Sequence, residues 1–246
     1  MTARSDADRS TDSLVLLPGL NNTAAVFDGV VQALLPAGID ALALDNPALE
    51  TVEAIADASL VTLPERFWLA GFSFGGYVAL AMLQRAPQRI KGIAMVCTGP
   101  GADPPAAQPK RQAALDAVAQ GRYFEMIEQQ AANAFHPDSL TNTALMQARR
   151  AMVQAYGPQR YAAHVRATMA RPDRTRLLDG SKPTLVVTAS HDTVIPPAGV
   201  AAYAAAIPGA QLHTVQGAGH LLPLEQPQGL ADLLAKWIQA GGAGIH

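Results

Sequence analysis

Several residue types are scarce in this sequence, and each shortage excludes a class of protein. With one cysteine, Cys97, among 246 residues, no internal disulfide can form, which fits a reducing cytosol best. Charged residues make up only 15% of the chain and the formal net charge is −2, whereas domains that bind nucleic acid are usually basic. Although 49% of the residues are hydrophobic, no apolar stretch approaches the roughly 20 residues that a transmembrane helix needs.

The two ends of the sequence and its length set the expected organisation. Residues 1–13 are polar and charged and lack the apolar core of a secretory signal, so we expect a cytoplasmic protein with neither a membrane nor a nucleic-acid partner. We also expect residues 1–13 and the glycine-rich residues 241–246 to be flexible tails. At roughly 100–200 residues per domain, the length allows one large domain, or one domain with a sizeable insertion.

Short apolar runs closed by glycine, proline or a polar turn recur along the chain, as is typical of buried parallel strands. They are the runs Leu14–Leu17, Ala41–Leu44, Phe67–Ala70, Ile90–Cys97, Thr184–Thr188 and Gln211–Val215. Helical patterns lie between early runs, at Ala24–Leu35 and Gly76–Ala86, and each is stopped by a proline. This alternation predicts an α/β fold with an open, mostly parallel sheet and helices on both of its faces.

The alternation breaks between residues 105 and 178, where only helical patterns are present. The candidate helices are Ala113–Ala119, Tyr123–Ala134, Ser139–Ala155 and Gln159–Ala170. Four ordinary crossover helices are the alternative, but so many helices without an intervening strand are unusual in such a sheet. We therefore predict a helical cap over 105–178, inserted between the two parts of the core, 14–104 and 179–240.

The segment Gly71-Phe72-Ser73-Phe74-Gly75-Gly76 follows the run at 67–70 and precedes a helical pattern. That context is what a nucleophile elbow requires, because its serine sits on a strained strand-to-helix turn with Oγ exposed above the sheet. Glycines two residues before and after Ser73 leave space for the neighbouring strand and helix. The N-terminus of the following helix also favours developing negative charge. The alternative interpretation is an ordinary tight turn with a solvated serine.

A serine hydroxyl needs a base to become a nucleophile, and the base needs an acid to orient it. His220 follows the last apolar run, within Gly217-Ala218-Gly219-His220, and Asp192 follows the run at 184–188. We therefore predict that Ser73, Asp192 and His220 are the catalytic residues.

Other acids and histidines remain as alternatives for these roles. Asp103, just beyond the run at 90–97, is the rival acid, because the end of a neighbouring strand can also reach the histidine. Asp179 is a more distant rival and more often closes a loop. The weaker candidates for the base are His136, His164, His191, His213 and His246.

Acyl transfer also needs two N–H groups that bind the oxyanion of the intermediate. One is the backbone N–H of Phe74, the residue after the nucleophile, and the other comes from the loop after the first strand. Gly19 lets that loop turn sharply, which leaves the N–H of Leu20 as the second donor. Asn21 supports this loop or contacts substrate; the alternative is a plain turn residue or a cap for the helix from Thr23.

Taken together, these pieces resemble the α/β-hydrolase fold superfamily, in particular its small bacterial members with a helical cap. The most specific pieces are Leu16-Leu17-Pro18-Gly19, the elbow, Gly217-Ala218-Gly219-His220, Leu224-Glu225-Gln226-Pro227 and the acid loop Ser190–Pro196. The chain order Ser73, Asp192, His220 is also that of the superfamily. The resemblance covers about 14–102 and 182–237. One departure is Pro18, at a position where the superfamily often has a histidine that braces the oxyanion loop.

The resemblance implies a serine hydrolase, since that group includes carboxylesterases, lactonases and carbon–carbon bond hydrolases. We expect it to cleave a small carboxylic ester, lactone or thioester through an acyl-enzyme on Ser73, with no metal and no cofactor. Carbon–carbon bond hydrolysis or perhydrolysis with the same residues is one alternative. A catalytically silent relative that binds a ligand is another.

The small net charge conceals an uneven distribution. Residues 105–178 carry ten Lys and Arg against five Asp and Glu, whereas the rest of the chain carries eight against fifteen. A basic cap therefore covers an acidic body, and ion pairs between the two are the favoured interpretation. The alternative is that some of four cap arginines attract an acidic substrate towards Ser73. These are Arg149, Arg150, Arg160 and Arg166.

Overall fold

The computed structural model describes residues 13–242 and contains one six-stranded sheet. The strands are β1 (Ser13–Leu17), β2 (Asp40–Ala43), β3 (Phe67–Phe72), β4 (Ile90–Val96), β5 (Thr184–Ala189) and β6 (Gln211–Val215). Every pairing is parallel, and the strand order is β2-β1-β3-β4-β5-β6. All six apolar runs therefore form strands, as predicted, with ends that differ from the prediction by at most two residues.

The strand order reverses between β1 and β3, and in open α/β sheets ligands bind at such a point. From β1 the chain leads outward to β2, whereas from β3 it continues to β4 on the other side. Leu17 of β1 lies opposite Gly71 of β3, and Phe72 of β3 lies opposite Val96 of β4. The carboxyl ends of the three strands therefore meet at one edge of the sheet, and Ser73 follows β3 at that edge.

The α-helices lie between and after the strands. They are α1 (Asp28–Leu34), α2 (Val52–Leu60), α3 (Phe74–Arg85), α4 (Gln108–Ala119), α5 (Tyr123–Gln129), α6 (Ala131–Ala134), α7 (Thr143–Ala170), α8 (Pro197–Ala204), α9 (Leu222–Glu225) and α10 (Pro227–Gly242). Short 3₁₀ helices cover Ala24–Phe27, Leu35–Ala37, Pro87–Arg89, Pro105–Ala107, Pro137–Thr141 and Thr175–Leu177.

Two separate apolar cores confirm that helices cover both faces of the sheet. Helices α1 and α10 contribute to one core, in which the rings of Trp68 on β3 and Trp237 on α10 meet edge to face at 4.8 Å. Helices α2, α3 and α8 contribute to the other, through residues such as Ile55, Val78 and Val200. Because both faces are covered, the central strands are buried throughout, which explains their continuous apolar sequence.

The segment between β4 and β5 is helical, and its helices α4, α5 and α7 share a small core of their own. Helix α7 breaks at Gly157, whose φ of 76° is left-handed and precedes Pro158. The two predicted helices on either side of this point are therefore present. The helix predicted from Ser139 begins instead at Thr143, because Asn142 Oδ1 accepts from the N–H groups of Ala144 and Leu145 and caps it.

The predicted tails fall almost entirely outside the described residues, in 1–12 and 243–246. Ser13 already belongs to β1, and α10 extends to Gly242, so the ordered core reaches past residue 240. Gly241 packs closely enough on Trp68 that an added Cβ would collide with its ring. Across residues 13–242, the structure has no helix with the length and apolar character to cross a membrane.

Candidate active site

Ser73 joins β3 to α3 in a strained backbone conformation. Its φ is 51° and its ψ is −117°, a combination that non-glycine residues rarely adopt and that surrounding contacts must hold. The Ser73 N–H donates to the carbonyl of Val96 at 2.9 Å. Its own carbonyl accepts from the N–H of Gly76 at 2.9 Å and from Thr98 Oγ1 at 2.7 Å. The turn therefore has the backbone expected of a nucleophile elbow.

Three glycines make this turn sterically feasible. A Cβ at Gly71 would lie 2.5 Å from the carbonyl oxygen of Gly75, and one at Gly76 would lie 2.5 Å from Thr98 Cγ2. A Cβ at Gly75 would collide with the carbonyl oxygen of Leu17, at the end of β1. Strand, helix and neighbouring strand can approach this closely only where no side chain intervenes.

His220 lies within hydrogen-bond distance of both Ser73 and Asp192. Its Nε2 is 2.9 Å from Ser73 Oγ, and its Nδ1 is 2.8 Å from Asp192 Oδ2. The side chain of Asp192 is fully buried, and its Oδ1 accepts from the backbone N–H groups of Val194 at 2.9 Å and Ile195 at 2.8 Å. Because the carboxylate accepts from Nδ1–H, Nε2 is left free to accept the serine proton.

The single cysteine lies close to this acid. Burial raises the pKa of the Cys97 thiol well above its ordinary value, and the negative charge of Asp192 raises it further. Since the thiolate is the reactive form of cysteine, a thiol that keeps its proton does not compete with Ser73 as a nucleophile.

The rival acids have other partners. Asp103 is buried and pairs with Arg171 at 2.8 Å and with Arg111 at 3.3 Å. Asp179 accepts from the backbone N–H of Ser181 at 2.9 Å. Among the described residues, Asp192 is therefore the acid that contacts the predicted base.

None of the other histidines in residues 13–242 forms a hydrogen bond with Ser73 or Asp192. His136 and His191 form an edge-to-face pair with ring centroids 4.2 Å apart, and His213 is exposed on β6. His164 is buried within the helical segment, and His246 falls beyond residue 242. In the part of the chain that the structure describes, no group of three or more His, Cys, Asp or Glu could hold a metal ion.

The predicted oxyanion-hole residues Leu20 and Phe74 line the same cavity as the predicted nucleophile and base. Phe74 is the first residue of α3, so its backbone N–H has no carbonyl partner within the helix. Leu20 lies in a turn closed by the hydrogen bond from Asn22 N–H to the Gly19 carbonyl, at 3.2 Å. The structure thus brings both predicted donor residues to the cavity that contains Ser73.

Asn21 lines the cavity as well, in a left-handed conformation with φ of 62°. Its Oδ1 accepts a hydrogen bond from the hydroxyl of Tyr123 at 2.9 Å. The side-chain oxygen therefore has a protein partner, and contact between Asn21 and substrate stays a prediction. Sequence patterns did not identify Tyr123, which approaches this loop from the helical segment.

A cavity of about 1010 Å³ lies between the carboxyl edge of the sheet and the helical segment. Its lining combines residues of both parts of the fold, among them Ser73, His220, Tyr77, Met126, Val153 and Leu221. A concave cavity of this size, in which polar groups converge beside apolar side chains, is the kind of place where small molecules bind. The nucleophile candidate is therefore accessible to a substrate of small-molecule size.

Glu225 ties the helical segment to the loop that carries His220. Its Oε2 accepts from the N–H of Gly219 at 2.8 Å, and its Oε1 accepts from the N–H of His136 at 2.7 Å. The two backbones approach so closely that a Cβ at Gly219 would lie 2.5 Å from the carbonyl carbon of Phe135. The position of the candidate base thus depends on contacts with the helical segment.

The four arginines singled out in the sequence are all paired with acidic residues. Arg149 and Arg150 pair with Glu128 at 3.3 and 2.6 Å, Arg160 pairs with Asp45 at 3.4 Å, and Arg166 pairs with Glu50 at 2.9 Å. Of the four, Arg149 lines the cavity, but its guanidinium also donates to the carbonyl of Ile127. Two of the pairs join the helical segment to the core, which agrees with the ion-pair interpretation.

The sequence and the fold are matched by known proteins. A model of the alpha/beta hydrolase family matches residues 14–233. The chain belongs to the alpha/beta hydrolase family. Among the relatives of this alpha/beta hydrolase is a pimeloyl-[acyl-carrier protein] methyl ester esterase of Xanthomonas axonopodis pv. citri (strain 306). It is 27% identical over 242 residues, which cover 92% of this chain and 94% of that protein.

Solved structures of other alpha/beta hydrolases superpose closely on this one. A thermophilic esterase from Thermogutta terrifontis, solved with malate bound, has a TM-score of 0.86 and 25% identity over 94% of this chain and 90% of its own. A hydrolase from Pseudomonas aeruginosa PA01 has a TM-score of 0.83 and 26% identity over 95% of this chain and 92% of its own. These comparisons place the protein among hydrolases that act on ester bonds.

Substitution of the two buried carboxylates, Asp192 and Asp103, should affect different properties: the first should lower kcat and the second should lower stability. Asp192→Asn keeps the shape of the side chain but disfavours the tautomer of His220 that accepts the serine proton, so kcat for an ester should fall by about 10⁴-fold with little loss of stability. Asp103→Asn, the matched control, leaves Arg171 buried without its counter-charge and should lower the free energy of unfolding by about 3–5 kcal/mol. Steady-state kinetics and urea unfolding of both variants test this.

The folded fraction of Asp103→Asn should keep kcat within a few-fold of the wild type. A large loss of kcat in Asp103→Asn combined with an active Asp192→Asn would reverse the assignment of the acid.

Proposed function

We propose that this alpha/beta hydrolase is a serine esterase that forms an acyl-enzyme on Ser73. The observation that carries the proposal is the chain of hydrogen bonds from Ser73 Oγ through His220 to Asp192, at 2.9 and 2.8 Å, beside a cavity large enough for a substrate. In this proposal Ser73 is the nucleophile, His220 the base and Asp192 the orienting acid.

The first half of the reaction acylates the enzyme. Ser73 Oγ attacks the carbonyl carbon of the ester, its proton passes to His220 Nε2, and the electron pair of the carbonyl moves onto its oxygen. The backbone N–H groups of Leu20 and Phe74 bind this oxyanion. When the intermediate collapses, the bond to the alcohol oxygen breaks, and the alcohol leaves with the proton from His220.

The second half releases the acid. His220 takes a proton from a water molecule, whose oxygen attacks the acyl carbon and forms a second tetrahedral intermediate in the same oxyanion hole. Collapse of this intermediate breaks the bond to Ser73 Oγ, which recovers its proton from His220. The products are one carboxylic acid and one alcohol, and the residues return to their starting state.

The helical segment acts as a cap in this proposal, because it forms the wall of the cavity opposite the sheet edge. Carboxylic esters are the proposed substrate class, since relatives that match 92% of this chain are esterases of a methyl ester. Lactones and thioesters undergo the same steps at Ser73. The apolar side chains of the cavity, such as Met126 and Val153, favour an acyl group with a hydrocarbon portion.

Covalent labelling tests the assignment of the nucleophile. A fluorophosphonate should add to the wild-type protein once, with Ser73 Oγ bonded to phosphorus and fluoride released, and p-nitrophenyl esters should be hydrolysed. Ser73→Ala should lose the label and about 10⁶-fold in kcat. The control Ser59→Ala removes a buried hydroxyl that donates to the Ile55 carbonyl on α2 and does not line the cavity, and it should keep both properties.

An unlabelled wild-type protein, or a label that persists in Ser73→Ala, would reject the esterase proposal in favour of a silent, ligand-binding relative. Product analysis with lactones and vinylogous diketones separates ester from carbon–carbon bond cleavage.

The ion pairs of the cap predict a weak response to salt. Because Arg150, Arg160 and Arg166 are neutralised by acidic partners, they exert little long-range attraction on an anionic substrate. We expect kcat/KM to change by less than about twofold between low salt and 0.5 M NaCl for a neutral ester and for its carboxylate-bearing analogue alike. A steep fall of kcat/KM with salt for the anionic ester alone would contradict this. It would favour the alternative that cap arginines attract an acidic substrate.

A further inference from the structure

Two tyrosines of the cap reach the loop that carries the proposed oxyanion donor Leu20. The hydroxyl of Tyr123 donates to Asn21 Oδ1 at 2.9 Å, across 102 positions of sequence. Tyr156 belongs to the same cap core; burial raises the pKa of its hydroxyl, and the nearby backbone N–H of Asn21 opposes that rise. Asn21 has φ of 62°, a left-handed conformation that surrounding contacts must hold in place. Both tyrosines therefore lie beside Asn21, the residue that follows the proposed donor Leu20.

His164 orients the hydroxyl of Tyr156. Its Nε2 lies 2.7 Å from the carbonyl oxygen of Pro47, and because a carbonyl only accepts, Nε2 carries the proton. Nδ1 is then an acceptor and binds the Tyr156 hydroxyl in a short hydrogen bond. This leaves the phenolic oxygen able to accept from Asn21 N–H. Burial lowers the pKa of His164 to about 4, so the neutral form required by this arrangement persists at ordinary pH.

The same histidine contacts the residue that carries the second proposed donor. The ring of His164 stacks on the ring of Phe74 with centroids 4.6 Å apart and an angle of 18°. The loop that supplies Pro47 also supplies Asn46, whose Nδ2 donates to the carbonyl of Pro18 at 2.9 Å. His164 therefore contacts Phe74 directly and is linked to the loop after β1 only indirectly, through the segment of Asn46 and Pro47.

We propose that Tyr123 and Tyr156, the latter oriented by His164, are positioning residues that hold the loop of Leu20 and Asn21 so that its N–H faces the oxyanion. The inference rests on the proposed esterase function. None of the three side chains takes part in a proton transfer; they set where the donor lies. A donor displaced by even a fraction of an ångström binds the transition state less well while substrate binding changes little.

Tyrosine-to-phenylalanine variants test the positioning role, because each removes one hydroxyl and keeps the aromatic ring in the core. Tyr156→Phe and Tyr123→Phe should each lower kcat for p-nitrophenyl butyrate about tenfold with KM within twofold, and the double variant should approach the roughly 10²–10³-fold loss of a missing oxyanion donor. The affinity of an aryl trifluoromethyl ketone, which adds to Ser73 and places an oxyanion in the hole, should fall by the same factors as kcat.

Ser59→Ala is the control. Ser59 lies on α2, and its buried hydroxyl donates to the carbonyl of Ile55 at 2.8 Å. This variant loses one buried hydrogen bond, as each tyrosine variant does, but should keep kcat and ketone affinity within twofold. All single variants should still react with a fluorophosphonate at Ser73.

Three results would overturn the inference. One is a Tyr156→Phe protein whose kcat equals that of the wild type, and another is a change in KM alone. The third is an equal loss of kcat in Ser59→Ala, which would show a general effect of stability. In each of these cases a labelled, active wild type would leave the esterase function intact. A wild type that neither reacts with a fluorophosphonate nor hydrolyses esters would instead reject the esterase function, and this inference with it.

Discussion

Close backbone packing around Ser73 is the constraint on which the rest of the site depends. β1, β3 and α3 approach one another so tightly that a side chain at Gly71, Gly75 or Gly76 would meet neighbouring atoms. This packing holds Ser73 at φ 51°, raises its Oγ towards the cavity and places the N-terminus of α3 beside it. The strained conformation is held by β1, β3, α3 and the end of β4 together, in keeping with the rule that such strain persists only where surrounding contacts over-determine it.

The remaining parts of the site are brought to this turn from a distance, and the cap fixes several of them. Glu225 joins the cap to the loop of His220, and the pair of Asp103 and Arg171 joins it to the end of β4. On our inference, Tyr123 and Tyr156 likewise join the helical segment to the loop of Leu20 and Asn21, which carries a proposed oxyanion donor. In our proposal, a helical segment bound by buried and charge-assisted contacts of this kind positions the candidate catalytic groups in addition to forming the wall of the cavity.

The strands and the helical segment could be predicted because each depends on a local pattern. Buried parallel strands are continuous apolar runs, and the elbow and the loop of His220 have glycines where close packing requires them. The sequence favoured Asp192 over Asp103 because Asp192 follows the run at 184–188 and gives the chain order Ser73, Asp192, His220. In the structure Asp192 contacts His220 and Asp103 pairs with Arg171. The catalytic roles of Ser73, Asp192 and His220 stay predictions.

Contacts that span the chain could not be predicted in this way. Tyr123 lies 102 positions from Asn21, and His164 lies 117 positions from Pro47, and no spacing within the cap indicates either contact. The charge of the cap could be counted from the sequence, but the partners of Arg160 and Arg166 are set by the fold. Helix boundaries such as the start of α7 depended on a side-chain cap at Asn142.

The central claim is that Ser73 is a nucleophile whose tetrahedral intermediate is bound by two backbone N–H groups. A crystal structure of the protein after reaction with a fluorophosphonate tests it most directly, because the phosphoryl oxygen occupies the place of the oxyanion. We predict a bond from Ser73 Oγ to phosphorus, with the phosphoryl oxygen about 2.7–3.1 Å from the N atoms of both Leu20 and Phe74. A phosphoryl oxygen that points away from both N–H groups, or an adduct on another residue, would contradict the account.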